Sequence, residues 1–182
     1  MRIISGEWRG RQIIAPKGDA TRPTADRTRE TLFSMLTSRL GSFEGLAVAD
    51  LFAGSGALGL EALSRGAASC VFVEQDKPAL DALRTNITKL DGTREKGADI
   101  RPGSVMALGH VVKPLDLILM DPPYGSGAGA VALDKLARSG WVGPATWVSI
   151  ETGRDEKIEV DGFEIDVERN SGKAKLTILR RV

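Results

Sequence analysis

Asp50-Leu51-Phe52-Ala53-Gly54-Ser55-Gly56-Ala57-Leu58-Gly59 is the stretch on which the reading of the fold turns. Leu46–Leu51, leading into it, is short and apolar, as a buried strand is, and Ala57–Arg65, leading out of it, reads as a helix. Gly54, Gly56 and Gly59 satisfy G-x-G-x-x-G at the junction. Glycine permits a tight turn there and lets a ligand lie close against the backbone. The motif alone is weak, because many tight turns contain it. An acid strengthens it: Glu74 closes the next strand, Ala68–Glu74, twenty residues after Gly54. A carboxylate at that tip can accept hydrogen bonds from both ribose hydroxyls of an adenosine. Strand, turn, helix and acid together predict an adenosine-containing cofactor held by Phe52, Gly54, Ser55, Gly56, Glu74 and Gln75.

Two cofactor types compete for such a turn. A dinucleotide brings a pyrophosphate onto the helix N-terminus. S-adenosylmethionine has no phosphate but carries an ammonium that needs an acidic or carbonyl partner. Asp50, four residues before the first glycine, can supply one directly or through water, which favours S-adenosylmethionine.

Outward from the turn, strands and helices alternate. Pro78–Leu90 is helical, Ala98–Arg101 a weak strand, and Leu115–Met120 a strong one. Val131–Ser139 is helical and Thr146–Glu151 a strand. Alternation of this kind implies a parallel sheet covered on both faces. The end differs, because Phe163–Glu168 and Lys175–Leu179 flank Asn170-Ser171-Gly172-Lys173, a hairpin signal that puts antiparallel strands at one edge. At the start, Ile3-Ile4 and Gln12-Ile13-Ile14 form a short hairpin with Trp8 near its bend. A loop over Pro16–Thr24 and a helix from about Ala25 to Leu40 follow, with Gly41 as its stop. The whole reads as one domain over 1–182: an extension at 1–40 and a core at 41–182.

Leu115–Met120 runs directly into Asp121-Pro122-Pro123-Tyr124. Two prolines fix a stiff, extended turn at the carboxyl end of the sheet, where α/β proteins bind ligands. The residue types suit one reaction. The exocyclic amine of a nucleobase is a poor nucleophile because its lone pair is delocalised into the ring. Hydrogen bonds from that amine to the Asp121 carboxylate and the Pro122 carbonyl favour a pyramidal nitrogen with its lone pair aimed at a methyl donor. Orientation and electrostatics then supply most of the acceleration, without a histidine base. Tyr124 offers a face for a base extruded from its stack. In isolation the tetrad would be a proline-stiffened loop. Combined with the glycine turn and Glu74, it reads as a methyl-transfer site.

Composition closes off other classes. A single cysteine, Cys70, excludes a disulfide framework and a multi-cysteine zinc site, and a lone histidine, His110, excludes an imidazole-based metal centre. No apolar run approaches the roughly 20 residues that span a bilayer, and the N-terminus is no secretory signal, so a cytoplasmic location is expected. Cys70 reads as core, and Trp141 and Trp147 as packing residues, whereas Trp8 fits either an RNA-stacking or a helix-capping role. Net charge is only +1, but residues 1–40 carry eight Lys/Arg against four Asp/Glu, an excess that suits phosphate contacts or a solvated helix face equally well.

The tetrad resembles the (Asn/Asp/Ser)-Pro-Pro-(Tyr/Phe/Trp) signature of amino-group methyltransferases of DNA and RNA. More narrowly, Arg2-Ile3-Ile4-Ser5-Gly6-Glu7-Trp8-Arg9-Gly10-Arg11 resembles the N-terminal hairpin of the RsmD family, the 16S ribosomal RNA guanine-N2 methyltransferases. Arg22-Pro23-Thr24-Ala25-Asp26-Arg27-Thr28-Arg29-Glu30-Thr31-Leu32-Phe33 and the run from Asp50 to Ala67 are similar to the same family. The likeness covers nearly the whole chain. It implies a Rossmann-like, seven-stranded class I methyltransferase sheet with a reversed last strand, and methyl transfer from S-adenosylmethionine to guanine N2 in 16S rRNA of an assembled or assembling small subunit. It also implies that Arg9, Arg11, Arg22, Arg27 and Arg29 contact RNA and help wall the pocket; the resemblance leaves the oligomeric state open, and a monomer is the simpler expectation. Many relatives have Asp or Asn at the fourth strand's approach to the adenine, where this chain has Gly103-Ser104. Backbone groups or the Ser104 hydroxyl are expected to serve instead. The rivals are a DNA or other RNA amino-methyltransferase using the same tetrad, a dinucleotide oxidoreductase, and a non-catalytic binding protein on the same fold. The first usually needs an added target-recognition region. The second would want a proton-relay residue, and His110 lies in a loop.

Overall fold

Seven strands form one sheet in the order β3-β2-β1-β4-β5-β7-β6 in a computed structural model that describes residues 1–16, 23–91 and 97–182. The strands are β1 (Ala47–Leu51), β2 (Ser69–Glu74), β3 (Ala98–Pro102), β4 (Leu115–Met120), β5 (Val142–Gly153), β6 (Phe163–Ser171) and β7 (Ala174–Arg181). The helices are α1 (Pro23–Leu40), α2 (Ala57–Ser64), α3 (Lys77–Asp91) and α4 (Ala128–Arg138), with a 3-10 turn at Val105–Ala107. β1 to β5 pair in parallel, and β7 runs antiparallel to both of its neighbours. The expected C-terminal hairpin is present, folded back so that β7 lies inside the sheet and β6 forms its edge.

Apolar side chains alternate along each strand between two cores. One contains Val48, Phe72, Leu117, Leu119 and Ile178 and is covered by α1, α2, α3 and the N-terminal hairpin through Ile3, Trp8, Phe33, Leu36, Leu60 and Leu83. The other contains Leu51, Val73, Ile118, Met120 and Ile150 and is covered by α4 through Leu133 and Leu136. Gly59 allows α2 to lie close to the sheet, because a Cβ there would come within 2.4 Å of the Phe72 ring and 2.7 Å of the Cys70 sulfur. Among the described residues, no helix is long and apolar enough to cross a membrane.

Several boundaries move. α1 begins at Pro23, and residues 17–22 of the expected loop lie outside the described residues. α4 begins three residues earlier than Val131, because Gly127 takes φ 68° and the Ser126 hydroxyl accepts from the Ala128 N–H. β5 begins at Val142 despite Pro144, because its register against β4 slips between Leu115 and Leu117 and leaves the proline exposed. The N-terminal hairpin holds a single ladder bridge, Arg2 to Gln12. Trp8 resolves toward packing: it is buried, with its backbone N–H donating to Ser64 Oγ.

Glu61, fully buried on α2, fastens the N-terminal region to the core. Its carboxylate accepts the N–H groups of Ile4 at 2.9 Å and Ser5 at 3.0 Å, and pairs with Arg65 at 3.0 Å and Arg29 at 3.7 Å. Removing one member of such a buried cluster strands the others' charge. Glu61→Ala is therefore expected to cost about 3–5 kcal/mol in urea denaturation and to open the first 16 residues to proteolysis. A loss below about 1 kcal/mol would contradict this role.

Candidate active site

Parallel pairing sets the tips of β1 and β4 beside the last residues of the longer β5: Leu51 lies opposite Met120, and Met120 opposite Ile150, three residues before β5 ends. The residues that follow, Phe52, Asp121 and Glu151, all border one cleft of about 890 Å³. Val73, Glu74, Gln75 and Asp76 line its β2 side, Gly103 and Ser104 its β3 side, and Pro122, Pro123 and Tyr124 its β4 side.

The glycine turn is held from beneath and from the side. Glu74 Oε2 accepts the Gly54 N–H at 2.8 Å, while Oε1 accepts those of Gln75 and Asp76, both at 2.9 Å. Gly54 takes φ 57° with no atom near the place of a Cβ, so its outer face is open to a ligand. Phe52 takes φ 61°, a conformation that costs a side-chain-bearing residue about 1–3 kcal/mol and that recurs at ligand sites. Gly56 begins α2 at φ 86°, where a Cβ would strike Leu83 at 2.4 Å. Ser55 is buried, its carbonyl accepting from Asn86 Nδ2 at 3.0 Å. The Ser104 hydroxyl oxygen accepts the Met106 N–H and caps the 3-10 turn, leaving its proton available to the cleft.

Three expectations need correction. Gly54, Ser55 and Gly56 do not border the cleft: Ser55 is buried, Gly56 faces Leu83, and the turn acts from behind by holding Glu74 through the Gly54 N–H. Asp50 does not border the cleft. It is 1 % exposed, because the pleat turns it under α2, where Oδ2 accepts the Gly59 N–H at 2.8 Å. Burial pushes its carboxyl up, so it holds the start of α2 and does not meet an ammonium by direct contact. Arg29 is not a surface arginine. It is 4 % exposed, bonded to Asp26 at 3.1 Å and to the Arg2 carbonyl, and it lies beside Glu61. Arg9, Arg11 and Arg27 are exposed, and Arg11 also binds the Lys89 and Leu90 carbonyls at the end of α3. Arg22 lies outside the described residues.

Sequence reading missed Asp76, Asn86 and Glu151. Asp76 follows Glu74 on the cleft wall and also caps α3, accepting the Ala79 N–H at 3.1 Å. Asn86 joins the hairpin to the glycine turn by bonding both the N–H and the carbonyl of Ile14 and the Ser55 carbonyl. Glu151 has no motif around it; an acid ending a strand next to the Asp121 strand was the available signal. Its Oε1 accepts the Tyr124 hydroxyl at 2.5 Å.

A second cavity, about 700 Å³, opens on the other side of the tetrad. It shares Asp121, Tyr124 and Glu151 with the first, and its far walls are Ala25, Thr28, Arg29 and Leu32 of α1, Leu58 of α2, and Lys173 of the β6–β7 turn. Asp121 thus stands between two chambers. It is exposed to water on the chamber side, and partial desolvation by the protein behind it, together with the Glu151 charge, pushes its pKa up to about 8. Burial also raises Glu151, and burial with the Glu151 bond raises Tyr124.

The first cleft fits S-adenosylmethionine. It carries Glu74, Asp76, Asp121 and Glu151 and, among the described residues, no lysine or arginine. That lining attracts a sulfonium and an ammonium and repels a pyrophosphate. Fold and site together define a class I methyltransferase, the class that takes its methyl group from S-adenosylmethionine.

The comparisons agree. Residues 1–180 match the family described as "Conserved hypothetical protein 95". "Ribosomal RNA small subunit methyltransferase D" of Haemophilus influenzae is 35% identical over 160 residues, 87% of this chain and 81% of that protein. The crystal structure of a putative methyltransferase from Escherichia coli superposes with a TM-score of 0.82 at 31% identity, covering 100% of this chain and 97% of that one. Magnesium protoporphyrin IX methyltransferase from Synechocystis, with a TM-score of 0.68 at 12% identity over 91% of this chain and 87% of that one, shares the fold. The chain belongs to the RsmD family.

The raised Asp121 carboxyl has a consequence for stability. Between the ordinary carboxylate range and about pH 8 the folded protein holds a proton that the unfolded chain has released. The stability this proton contributes is full below the ordinary range and is lost as pH rises through 8. Asp121→Asn removes the ionisation, so its melting temperature should fall less than that of the unaltered protein between pH 5 and 9. Parallel melting curves for the two proteins would contradict the shift.

Proposed function

We propose that this chain methylates the exocyclic N2 amine of a guanine in 16S ribosomal RNA, within an assembled or assembling small subunit. The carrying observation is the position of Asp121-Pro122-Pro123-Tyr124 between two cavities, one suited to the donor and one bounded by α1 and the β6–β7 turn. The names of the ribosomal RNA relatives support the substrate. Such a substrate is met in the cytoplasm, and a single chain holds both cavities, so the working unit is a monomer of one domain, with 1–40 walling the RNA side of the 41–182 core.

The cleft residues divide the work. Glu74, Gln75 and the backbone at Gly103-Ser104 take the adenosine end, and Phe52 shapes the floor beside it, with the glycine turn holding Glu74 from behind. When bound, S-adenosylmethionine supplies an electrophilic methyl carbon. Asp121 and the Pro122 carbonyl accept the two amine hydrogens and turn the nitrogen lone pair toward that carbon. The methyl group would be given up with the carbon–sulfur pair staying on sulfur, and the proton shed by the amine would pass to Asp121 or to water. Tyr124, half exposed and anchored through its hydroxyl, presents its ring to the base. Positioning of this kind can contribute several orders of magnitude in rate. Exposed Arg9 and Arg27 meet phosphates, and Lys173 and Arg29 place positive charge on the wall of the second cavity.

Asp121→Ala is expected to lower methyl transfer at least about a thousandfold, while calorimetry shows S-adenosylmethionine binding within a few-fold of normal. Near-normal turnover in that variant would remove the proposed role. The substrate itself is tested by mass mapping of modified nucleosides in ribosomal RNA from cells with and without the protein. One missing 2-methylguanosine in 16S rRNA is expected. An unchanged map would turn the assignment toward DNA or another RNA.

A further inference from the structure

Glu151 is a costly residue to keep beside Asp121. Both project toward α1 and α2, since their neighbours Met120 and Ile150 face the opposite core and β4 pairs directly with β5. Adjacent strands lie about 4.8 Å apart, so two carboxyl groups meet at the tips. Glu151 makes no ion pair among the described residues. One of its oxygens takes the Tyr124 hydroxyl, and Oε2 has no hydrogen-bond partner there. A glutamine would hold Tyr124 equally well without the repulsion. The free oxygen and the charge are therefore available to a ligand in the chambers that Glu151 borders.

We infer that Glu151 reads the target base, accepting the N1–H of guanine through its free oxygen while Asp121 holds the neighbouring N2 amine. This rests on the guanine-N2 reading above. Guanine is distinctive in presenting a ring N–H directly beside its exocyclic amine. In adenine and cytosine the atom beside the amine is an unprotonated ring nitrogen, a hydrogen-bond acceptor. Two carboxyl oxygens side by side match two donors side by side. A ring acceptor would face the Glu151 oxygen lone pair to lone pair, so the same residue that favours guanine rejects the other amino bases.

The other charged groups facing this pair are Arg29 from α1 and Lys173 from the β6–β7 turn, across the second cavity, and Glu74 and Asp76 from the β2 side of the first. Arg29 is already bonded to Asp26 and the Arg2 carbonyl, and neither it nor Lys173 forms an ion pair with Glu151.

The test uses small-subunit particles reconstituted from 16S rRNA ligated to carry either guanine or 2,6-diaminopurine at the methylated position. Both bases have an N2 amine, but diaminopurine has an unprotonated N1. The unaltered protein should favour guanine by at least about tenfold in kcat/KM, the scale of one hydrogen bond to a charged group. Glu151→Gln keeps an oxygen for Tyr124 and offers an amide N–H to the diaminopurine N1, so the preference should vanish or invert. Tyr124→Phe, which removes the hydroxyl and keeps Glu151, should retain the preference even if turnover drops. A Glu151→Gln protein that loses activity on both bases with the ratio unchanged would reduce Glu151 to a support for Tyr124. Equal rates on the two bases by the unaltered protein would overturn the inference without any variant. Methylation of neither particle by a protein that binds S-adenosylmethionine would instead sink the guanine-N2 reading.

Discussion

The hydrogen-bond register of the parallel strands fixes everything at the site. With Leu51 opposite Met120 and Met120 opposite Ile150, the loops leaving β1 and β4 start from the same level of the sheet, beside Glu151 of β5, which runs on to Gly153. A slip of one residue on β4 would turn Asp121 to the α4 face and bury a core residue's place with a carboxylate. The register is held by full burial on both faces: Leu117, Leu119, Ile118 and Met120 alternate between the two cores, each almost wholly enclosed. Strong apolar patterning in the least polar strand of the molecule thus sets the position of its most exposed chemistry.

A second constraint acts from outside the sheet. Glu61 and Arg29, both buried, cannot remain charged in an apolar layer without each other and without the backbone groups they bind. Their pairing fixes the hairpin and α1 against α2, and α1 in turn supplies Ala25, Thr28, Arg29 and Leu32 to the wall of the second cavity. The N-terminal extension therefore shapes the second chamber through its buried face, and its outward face carries Arg9, Arg11 and Arg27.

The sheet was legible because local physics and global fold agree there: strands with short apolar runs, glycines at turns, prolines after β4. The glycine turn, Glu74 and the tetrad were legible for the same reason, since each is a compact run of residues whose chemistry does not depend on a distant partner. What escaped depends on pairs far apart in sequence. Arg29 looks like any helix-surface arginine until Glu61, 32 positions later, is packed against it. Asp50 reads as facing a ligand until the pleat is known to turn it under α2. Glu151 has no informative neighbours in sequence and acquires its meaning from Asp121 across the strand pair and Tyr124 across the cleft.

The acids of the first cleft are not equivalent, and their placement bears on rate as well as binding. Methyl transfer moves positive charge from sulfur to the acceptor nitrogen. Carboxylates near the donor's far end stabilise the bound donor and the transition state alike, which tightens binding without lowering the barrier. Glu74 and Asp76, at the β2 tip, belong to that group. Carboxyl groups near the acceptor nitrogen gain interaction as charge arrives there, and so act on the barrier itself. Asp121 and Glu151 stand at that end, between the chambers, where desolvation strengthens the effect of each charge. The pair holds a proton below about pH 8, and a cation developing beside it favours the release of that proton, so the pair answers the arriving charge.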